Sequence, residues 1–482
     1  MFNYEAIVGM EVHAQLLTKS KVFCGCDAQV FGADPNTHVC PVCLGMPGVL
    51  PVLNRRAIEQ TIMVGLALNC QISETAVFSR KNYFYPDLPK AYQISMYDFP
   101  VCQDGWLEIE QEGGTTKRIG IRRVHLEEET AKSFHVRDHS LVDYNRAGLP
   151  LIEIVTEPDI RTPEEARLYL TKLRTILRYL GVSTGDMEKG AMRCEPNVSI
   201  RPVGVKSLGT KVEVKNLNSF RSVKHALSYE IDRQARTLDS GGVIRQVTMG
   251  WDEQRGRTVE QRVKEESDDY RYFPEPDLPP LCLPREWVDE IAALQPELPD
   301  AKRERFISEY RLPQGDADIL AVDRDVATYF EVAVSAARAE DIAPKTVSNW
   351  IVGELFRWLK SEDVEIAQVP VSPTALVGLV ALVENGTITA NSGKTVMADM
   401  LATGRPAGEI VQVKGLAQVS DQATLERIID DVLAANPEQV ARYRDGKETL
   451  LQWFVGKVMR ATRGKANPGV AKSLLTEKLK LQ

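Results

Sequence analysis

Residues 6–16, AIVGMEVHAQL, alternate without a break: Ala6, Val8, Met10, Val12, Ala14 and Leu16 are apolar, and Glu11, His13 and Gln15 fall between them. Successive side chains of an extended chain point to opposite faces, so this spacing predicts a β-strand with one core-facing side and one polar side. Four further segments share the design. In IRRVHLEEE, Arg123, His125, Glu127 and Glu129 stand opposite Val124 and Leu126. PLIEIVTEP carries Glu153 and Glu157 at even spacing in an apolar run, and RCEPNVSIR lines up Arg193, Glu195, Asn197, Ser199 and Arg201. TKVEVKN does the same with Lys211, Glu213 and Lys215. Five such strands predict a largely antiparallel sheet with one face buried.

The composition of the polar face points to chemistry. Solvated sheet faces are filled mostly by Thr, Ser and Lys, whereas here carboxylates recur beside His, Asn and Arg. The competing explanation, that these are the wet faces of an amphipathic sheet, holds for many single strands. Carboxylates converging from several strands would repel one another unless a cation sat among them. Mg²⁺ takes oxygen ligands and bridges nucleotide phosphates, so a few carboxylates with Arg and Lys suit phosphoryl transfer. Glutamates outnumber histidines in these segments, which disfavours a zinc hydrolase. NSGKT (residues 391–395) is not a phosphate loop, because Ile388 stands where that motif needs its first glycine and the context is helical.

A second motif is Cys24-x-Cys26 followed by Cys40-Pro-Val-Cys43-Leu-Gly, half of the eight cysteines within one short stretch. Paired thiolates at this spacing predict a tetrahedral Zn²⁺ site, structural because four thiolates close the coordination sphere; free cytosolic thiols are the alternative.

At 482 residues the chain exceeds one ordinary core, at about 150 residues per domain. Strand patterns with interspersed helices run to about residue 290, and helical periodicity takes over afterwards. A helix is predicted over Pro163–Leu180, with Thr162 and Glu165 as capping box and Gly181 as terminator, and another after Ser219, ended by Gly241-Gly242. The Pro-rich FPEPDLPPLCLP and the break at GRPAGEI divide the chain into 1–294, 295–405 and 406–482. The look-alike segments KNYFYPDLP and YRYFPEPDLP read as separate aromatic-proline loops. No apolar run is long enough for a membrane span, and the N-terminus lacks the features of a secretory signal, so the cytoplasm is expected. The net charge of −8 speaks weakly against nucleic acid. Between Arg442 and the C-terminus, however, ten Lys/Arg oppose three acids, a net +7 that fits either a phosphate-binding footprint or a solvated helix face.

GMEVHAQL, PGVLPVLN, RKNYFYPDLPKAYQIS, HLEEETAK, DYNRAGLPLIEIVTEPD, RCEPNVSIRP, EVKNLNSF, SDDYRYFPEPDLPP and FVGKVMRATRGKANP together resemble the GatB family, the B subunits of bacterial aspartyl/glutamyl-tRNA amidotransferases. The resemblance implies an α+β fold: a glutamine-synthetase-like antiparallel-sheet cradle, an all-α helical domain, and a small YqeY-like tail domain that binds tRNA. It implies a carbon–nitrogen ligase with glutamine as amide donor. ATP phosphorylates the side-chain carboxylate of Glu-tRNA(Gln) or Asp-tRNA(Asn), and ammonia then displaces phosphate. The Mg²⁺ ligands fall on positions matching Glu11, His13, Glu127 and Glu153, with Lys81 among the catalytic groups. Arg193, Glu195, Asn197, Ser199, Glu213 and Lys215 are implied to bind ATP or substrate, and Arg460, Arg463, Lys465 and Asn467 to bind tRNA. No Gly/Ser-rich amidase signature is present, so a GatA-type glutaminase subunit and a GatC-type small subunit are expected as partners. Some relatives lack the four cysteines, which makes zinc dispensable to the reaction. No inserted domain of the archaeal GatE kind fits between the helical part and the tail.

Overall fold

The computed structural model describes residues 4–263, 270–417, 422–462 and 466–481. Its first compact unit is Met1–Leu298 and its second Pro299–Gln482. The first is built on nine strands: β1 (Tyr4–Gln15), β2 (Gln71–Ile72), β3 (Cys102–Glu110), β4 (Thr116–Glu128), β5 (Pro150–Thr156), β6 (Met192–Pro202), β7 (Val212–Lys215), β8 (Val247–Asp252) and β9 (Arg257–Val263). They lie in the order β9-β8-β7-β6-β1-β5-β4-β3-β2. Every neighbouring pair is antiparallel except β7 and β8, which run parallel.

The alternation in β1 sets the layers. Ala6, Val8, Met10, Val12 and Ala14 are buried in one apolar core with the inner faces of α1 (Arg55–Ala67), α2 (Pro163–Tyr179) and α3 (Phe220–Asp239). The helices start where side chains satisfy their first N–H groups. Thr162 Oγ accepts from Glu165 N at 3.1 Å, and Ser219 Oγ accepts from Ser222 N at 3.0 Å. The carboxylate of Glu165 reaches back to Arg161 N at 2.7 Å, one residue before the cap. Gly181 has φ +66°, a left-handed conformation that ends α2 where glycine carries no Cβ penalty.

Two differences from the sequence expectations concern the aromatic loops and Glu157. The look-alike segments are not separate. Phe273–Pro274 pairs with Ser79–Asn82, which pairs with Tyr92–Ser95, in a three-stranded sheet. Arg80 clamps the pairing with two hydrogen bonds to Glu275, at 2.7 and 2.8 Å. Glu157 leaves the face it was expected to share with Glu153. A register shift between Val155 and Thr156 turns the chain there, and Glu157 pairs with Arg122 in solvent.

The second unit is helical, and residues 391–395 lie within the helix Ala390–Thr403. It contains two separate cores. Ala407, Ile410 and Val411 belong to the first, so the helix Ala407–Lys414 packs with the preceding helices, and the second core begins at Leu425. Gln295 donates to Met63 O at 2.7 Å, which ties it to the first unit. Among the described residues no helix is long and apolar enough to cross a membrane.

Candidate active site

The polar face of the sheet lines a cavity of about 600 Å³. Strand register brings its groups together. His13 on β1 lies opposite Glu153 on β5, and Glu153 lies opposite His125 on β4. On the other side Glu11 faces Glu195 on β6, and Asn197 faces Glu213 on β7. Residues far apart along the chain thus become neighbours through backbone pairing alone.

The donor atoms fall into two groups. Ligating atoms of His13, Glu127 and Glu153 lie within 4.8 Å of one another, and so do those of Glu11, Glu195 and Glu213. Of the four positions implied as one ligand set, the structure brings three together and puts Glu11 in the adjoining group. His13 Nε2 stands 3.3 Å from Glu127 and 3.5 Å from Glu153. His125 Nε2 stands 3.4 Å from the same Glu153 oxygen, and Ser95 Oγ donates to Glu127 at 3.0 Å. Burial pulls the His13 imidazole towards neutrality, but hydrogen bonds to both carboxylates prevail and push its pKa up to about 10. Burial also raises Glu127 and Glu153, but the two imidazoles outweigh it and hold both well below the usual carboxylate range. Both carboxylates are therefore held in their ionised form inside the protein, with a protonated His13 between them.

Cationic groups surround the carboxylates. Lys81, on the strand Ser79–Asn82, lies over the Tyr270 ring at 5.0 Å. Burial lowers its pKa, yet Glu127, Tyr272 and Glu153 raise it more, so Lys81 remains an ammonium. Lys215 pairs with Glu195 at 2.7 Å, and Arg193 donates to Glu129 at 2.5 Å. Asn197 donates to Glu11 at 2.9 Å, which positions that carboxylate although Asn197 does not line the cavity. Ser199 lies further along β6, buried and outside the lining. Glu213 accepts from Thr248 at 2.8 Å.

Two buried nitrogens on β4, Arg123 Nε and His125 Nδ1, have no hydrogen-bond partner among the described residues. Unsatisfied polar atoms are costly, and both belong to residues that line the cavity, although the atoms themselves are buried. Carboxylate oxygens with one imidazole are the donor set of a hard divalent cation. Sequence reasoning passed over the aromatic wall: Tyr83, Tyr97, Tyr270 and Tyr272 line the cavity, with Tyr97 and Tyr272 stacked at 4.4 Å. The only signal for it was the aromatic density of the two look-alike segments.

The four cysteines form a distinct cluster. Their sulfurs lie within 4.8 Å of one another on a segment without regular secondary structure. A hydrogen bond from Cys24 pulls the Cys43 thiol down to about 4 against burial, helped by the Cys40 N–H and the Lys21 ammonium. Cys26 is pushed up to about 11 by burial. The cluster could bind a metal.

In the tail, Arg460 is exposed on the helix Leu450–Ala461. Asn467 accepts from the backbone of Gly469 and Val470 at 2.8 and 3.2 Å, capping the helix Pro468–Leu481. Arg463 and Lys465 lie outside the described residues.

A family model described as the GatB/GatE catalytic domain matches residues 6–289, and one described as the GatB domain matches residues 328–479. The chain belongs to the GatB family. Proteins named as the B subunits of aspartyl/glutamyl-tRNA(Asn/Gln) amidotransferases are similar over nearly its whole length. That of Caldanaerobacter subterraneus subsp. tengcongensis is 53% identical over 478 residues, 99% of each chain. That of Thermodesulfovibrio yellowstonii is 53% identical over 479 residues, 99% of this chain and 100% of the relative. The first model covers every residue that lines the cavity, and the second covers part of the first helical core and all of the second.

Proposed function

We propose that the chain is the tRNA-binding, ATP-using subunit of a glutamine-dependent tRNA amidotransferase. It would activate the side-chain carboxylate of Glu-tRNA(Gln), Asp-tRNA(Asn) or both. The observation that carries this reading is the trio His13, Glu127 and Glu153, gathered on three adjacent strands with both glutamates buried and ionised, and with Lys81, Arg193 and Lys215 around the same cavity.

A carboxylate resists ammonia because its leaving group would be oxide. Its oxygen attacks the γ-phosphorus of ATP, the bond to ADP breaks, and the acyl phosphate then loses phosphate to ammonia. His13, Glu127 and Glu153 would hold Mg²⁺, and Glu11 with Glu195 and Glu213 could hold a second divalent cation. Bound there, Mg²⁺ offsets charge on the triphosphate and orients it. Lys81, Arg193 and Lys215 supply fixed positive charge for the equatorial oxygens of the transferring group. His125 and Ser95 hold Glu127 and Glu153 in place, and Asn197 holds Glu11. The cysteines would hold a structural Zn²⁺.

Ammonia would come from a GatA-type glutaminase subunit, with a GatC-type small subunit completing a cytoplasmic assembly. The basic tail, including Arg460, Arg463 and Lys465, supports contact with tRNA phosphates, whereas the cap made by Asn467 supports a structural role for that residue. Glu153→Gln, assayed in the assembled enzyme, is expected to slow tRNA-dependent ATP cleavage by about 10²–10³-fold while tRNA affinity stays within about twofold. Unchanged turnover would contradict the reading.

A further inference from the structure

Lys21 has no solvent exposure, which is rare for lysine, and it lies outside the cavity. Its backbone is pinned on both sides: Lys21 N donates to Cys26 O at 2.9 Å and Val22 N to Gly148 O at 2.9 Å. The ammonium meets two acceptors, Cys43 Sγ at 3.6 Å and the carbonyl of Tyr144 at 3.5 Å. Gly148 packs against this pair in a left-handed conformation, φ +83°, that suits glycine.

Tyr144 begins the short turn Tyr144–Arg146, and the segment between the cysteine pairs is laced to that turn. Asn36 Oδ1 accepts from Tyr144 N at 2.8 Å, and Asn36 N donates to Asp143 at 3.0 Å. His38 N donates to Asn145 at 2.8 Å, and Asn145 Nδ2 donates to Asp34 O at 2.7 Å. Arg146 leaves the turn in the other direction and donates to Glu129 at 3.0 Å, on the oxygen that also accepts from Arg193 in the cavity. A continuous path of charge-assisted and backbone contacts therefore runs from Cys43 through Lys21, the Tyr144–Arg146 turn and Glu129 to Arg193.

We propose that Lys21 is a positioning residue that couples the cysteine cluster to the cavity. Its ammonium offsets the charge of a metal-bound tetrathiolate and clamps the turn that places Arg146, Glu129 and Arg193. Four thiolates on a divalent cation carry a net double negative charge, which a partly buried site tolerates only with compensation nearby. The proposal rests on the zinc reading for its first half alone; the clamp on the turn is independent of it.

The test compares the full-length chain with Lys21→Met, which keeps length and apolar bulk but removes the charge. Zinc loss to excess chelator is expected to be about tenfold faster or more, in line with other outer-shell contacts of metal ligands. In cobalt-substituted protein the sulfur-to-metal charge-transfer band should move to lower energy, because the sulfur loses a hydrogen bond. Amide exchange at Tyr144 and Asn145 should rise in the variant. Identical zinc retention and identical exchange overturn the proposal, and so does faster zinc loss with the turn fully protected. A wild-type chain that binds no zinc, while the variant still loosens residues 144–146, removes the zinc reading and leaves the clamp standing. If Lys21→Met does not fold, chelator treatment of the wild type replaces it. Increased exchange that spreads from the cysteines into residues 144–146 supports the coupling, and exchange confined to residues 24–43 overturns it.

Discussion

Two of the metal-capable clusters among the described residues, the His13 trio and the four cysteines, are built in opposite ways. His13, Glu127 and Glu153 project from three adjacent strands of a nine-stranded sheet, and backbone register sets their spacing. Cys24, Cys26, Cys40 and Cys43 come from turns, held by one another and by a buried lysine. The first cluster has few donors, charged neighbours and a cavity in front of it. The second has four donors and no comparable space. An open, strand-borne set suits a cation that must also meet substrate, and a closed thiolate set suits a cation that staples chain.

Damage to each cluster, read in the same assay, should have unequal consequences. Glu127→Gln is expected to lower tRNA-dependent ATP cleavage in the assembled enzyme by about 10²–10³-fold with the melting temperature little changed. Cys40→Ser is expected to remove bound zinc and to destabilise the first unit, lowering turnover per folded molecule by about tenfold at most, through the loosened turn that places Arg193. Equal losses of turnover in both variants would erase the distinction.

Removal of the tail asks whether the cavity acts alone. Truncation after Leu416 keeps the core that includes Ala407, Ile410 and Val411. It should weaken tRNA binding about tenfold or more, measured by filter retention, with a salt dependence shallower than that of the full chain. A free-standing ligase acting on a small acid would be indifferent to this cut.

A smaller effect concerns pH. With no cation present, His13 titrates at about 10 against an ordinary value of 6.5. A group raised in this way contributes stability that is fully present below about pH 6.5 and is lost as pH rises through about 10. Thermal melting of the metal-free chain should therefore show a loss between those values that His13→Gln abolishes. A cation needs the neutral imidazole, so divalent affinity should increase by about a decade per pH unit across the same window. The smallest effect is expected at Asn467→Ala, about 1 kcal/mol of tail stability from the lost helix cap, with tRNA affinity unchanged.

Much of this was legible in the sequence because period-two alternation survives any tertiary context. The even residues of β1 fall inward and Glu11 and His13 fall into the cavity, as spacing requires. The helices α2 and α3 begin at the capping residues read from sequence. What alternation cannot supply is register between strands. It put Glu11 and Glu127 on the same face but could not assign them to different donor groups, nor show that a bulge after Val155 sends Glu157 into solvent. Ser199 and Glu195 share a face for the same reason, yet only Glu195 lines the cavity. Lys21 was invisible, because a single lysine beside apolar residues reads as an exposed charge until its neighbours are known. The break at residue 405 marked a turn, whereas the apolar contacts of the next helix extend that core past it.

The strand-borne trio is proposed to hold the cation of the nucleotide, and crystals grown with Mn²⁺ and a non-hydrolysable ATP analogue can locate that cation by anomalous scattering. A manganese peak is predicted within bonding distance of His13 Nε2 and of carboxylate oxygens of Glu127 and Glu153, touching the triphosphate. A nucleotide bound with its manganese elsewhere, and these three side chains paired only with one another, would contradict it.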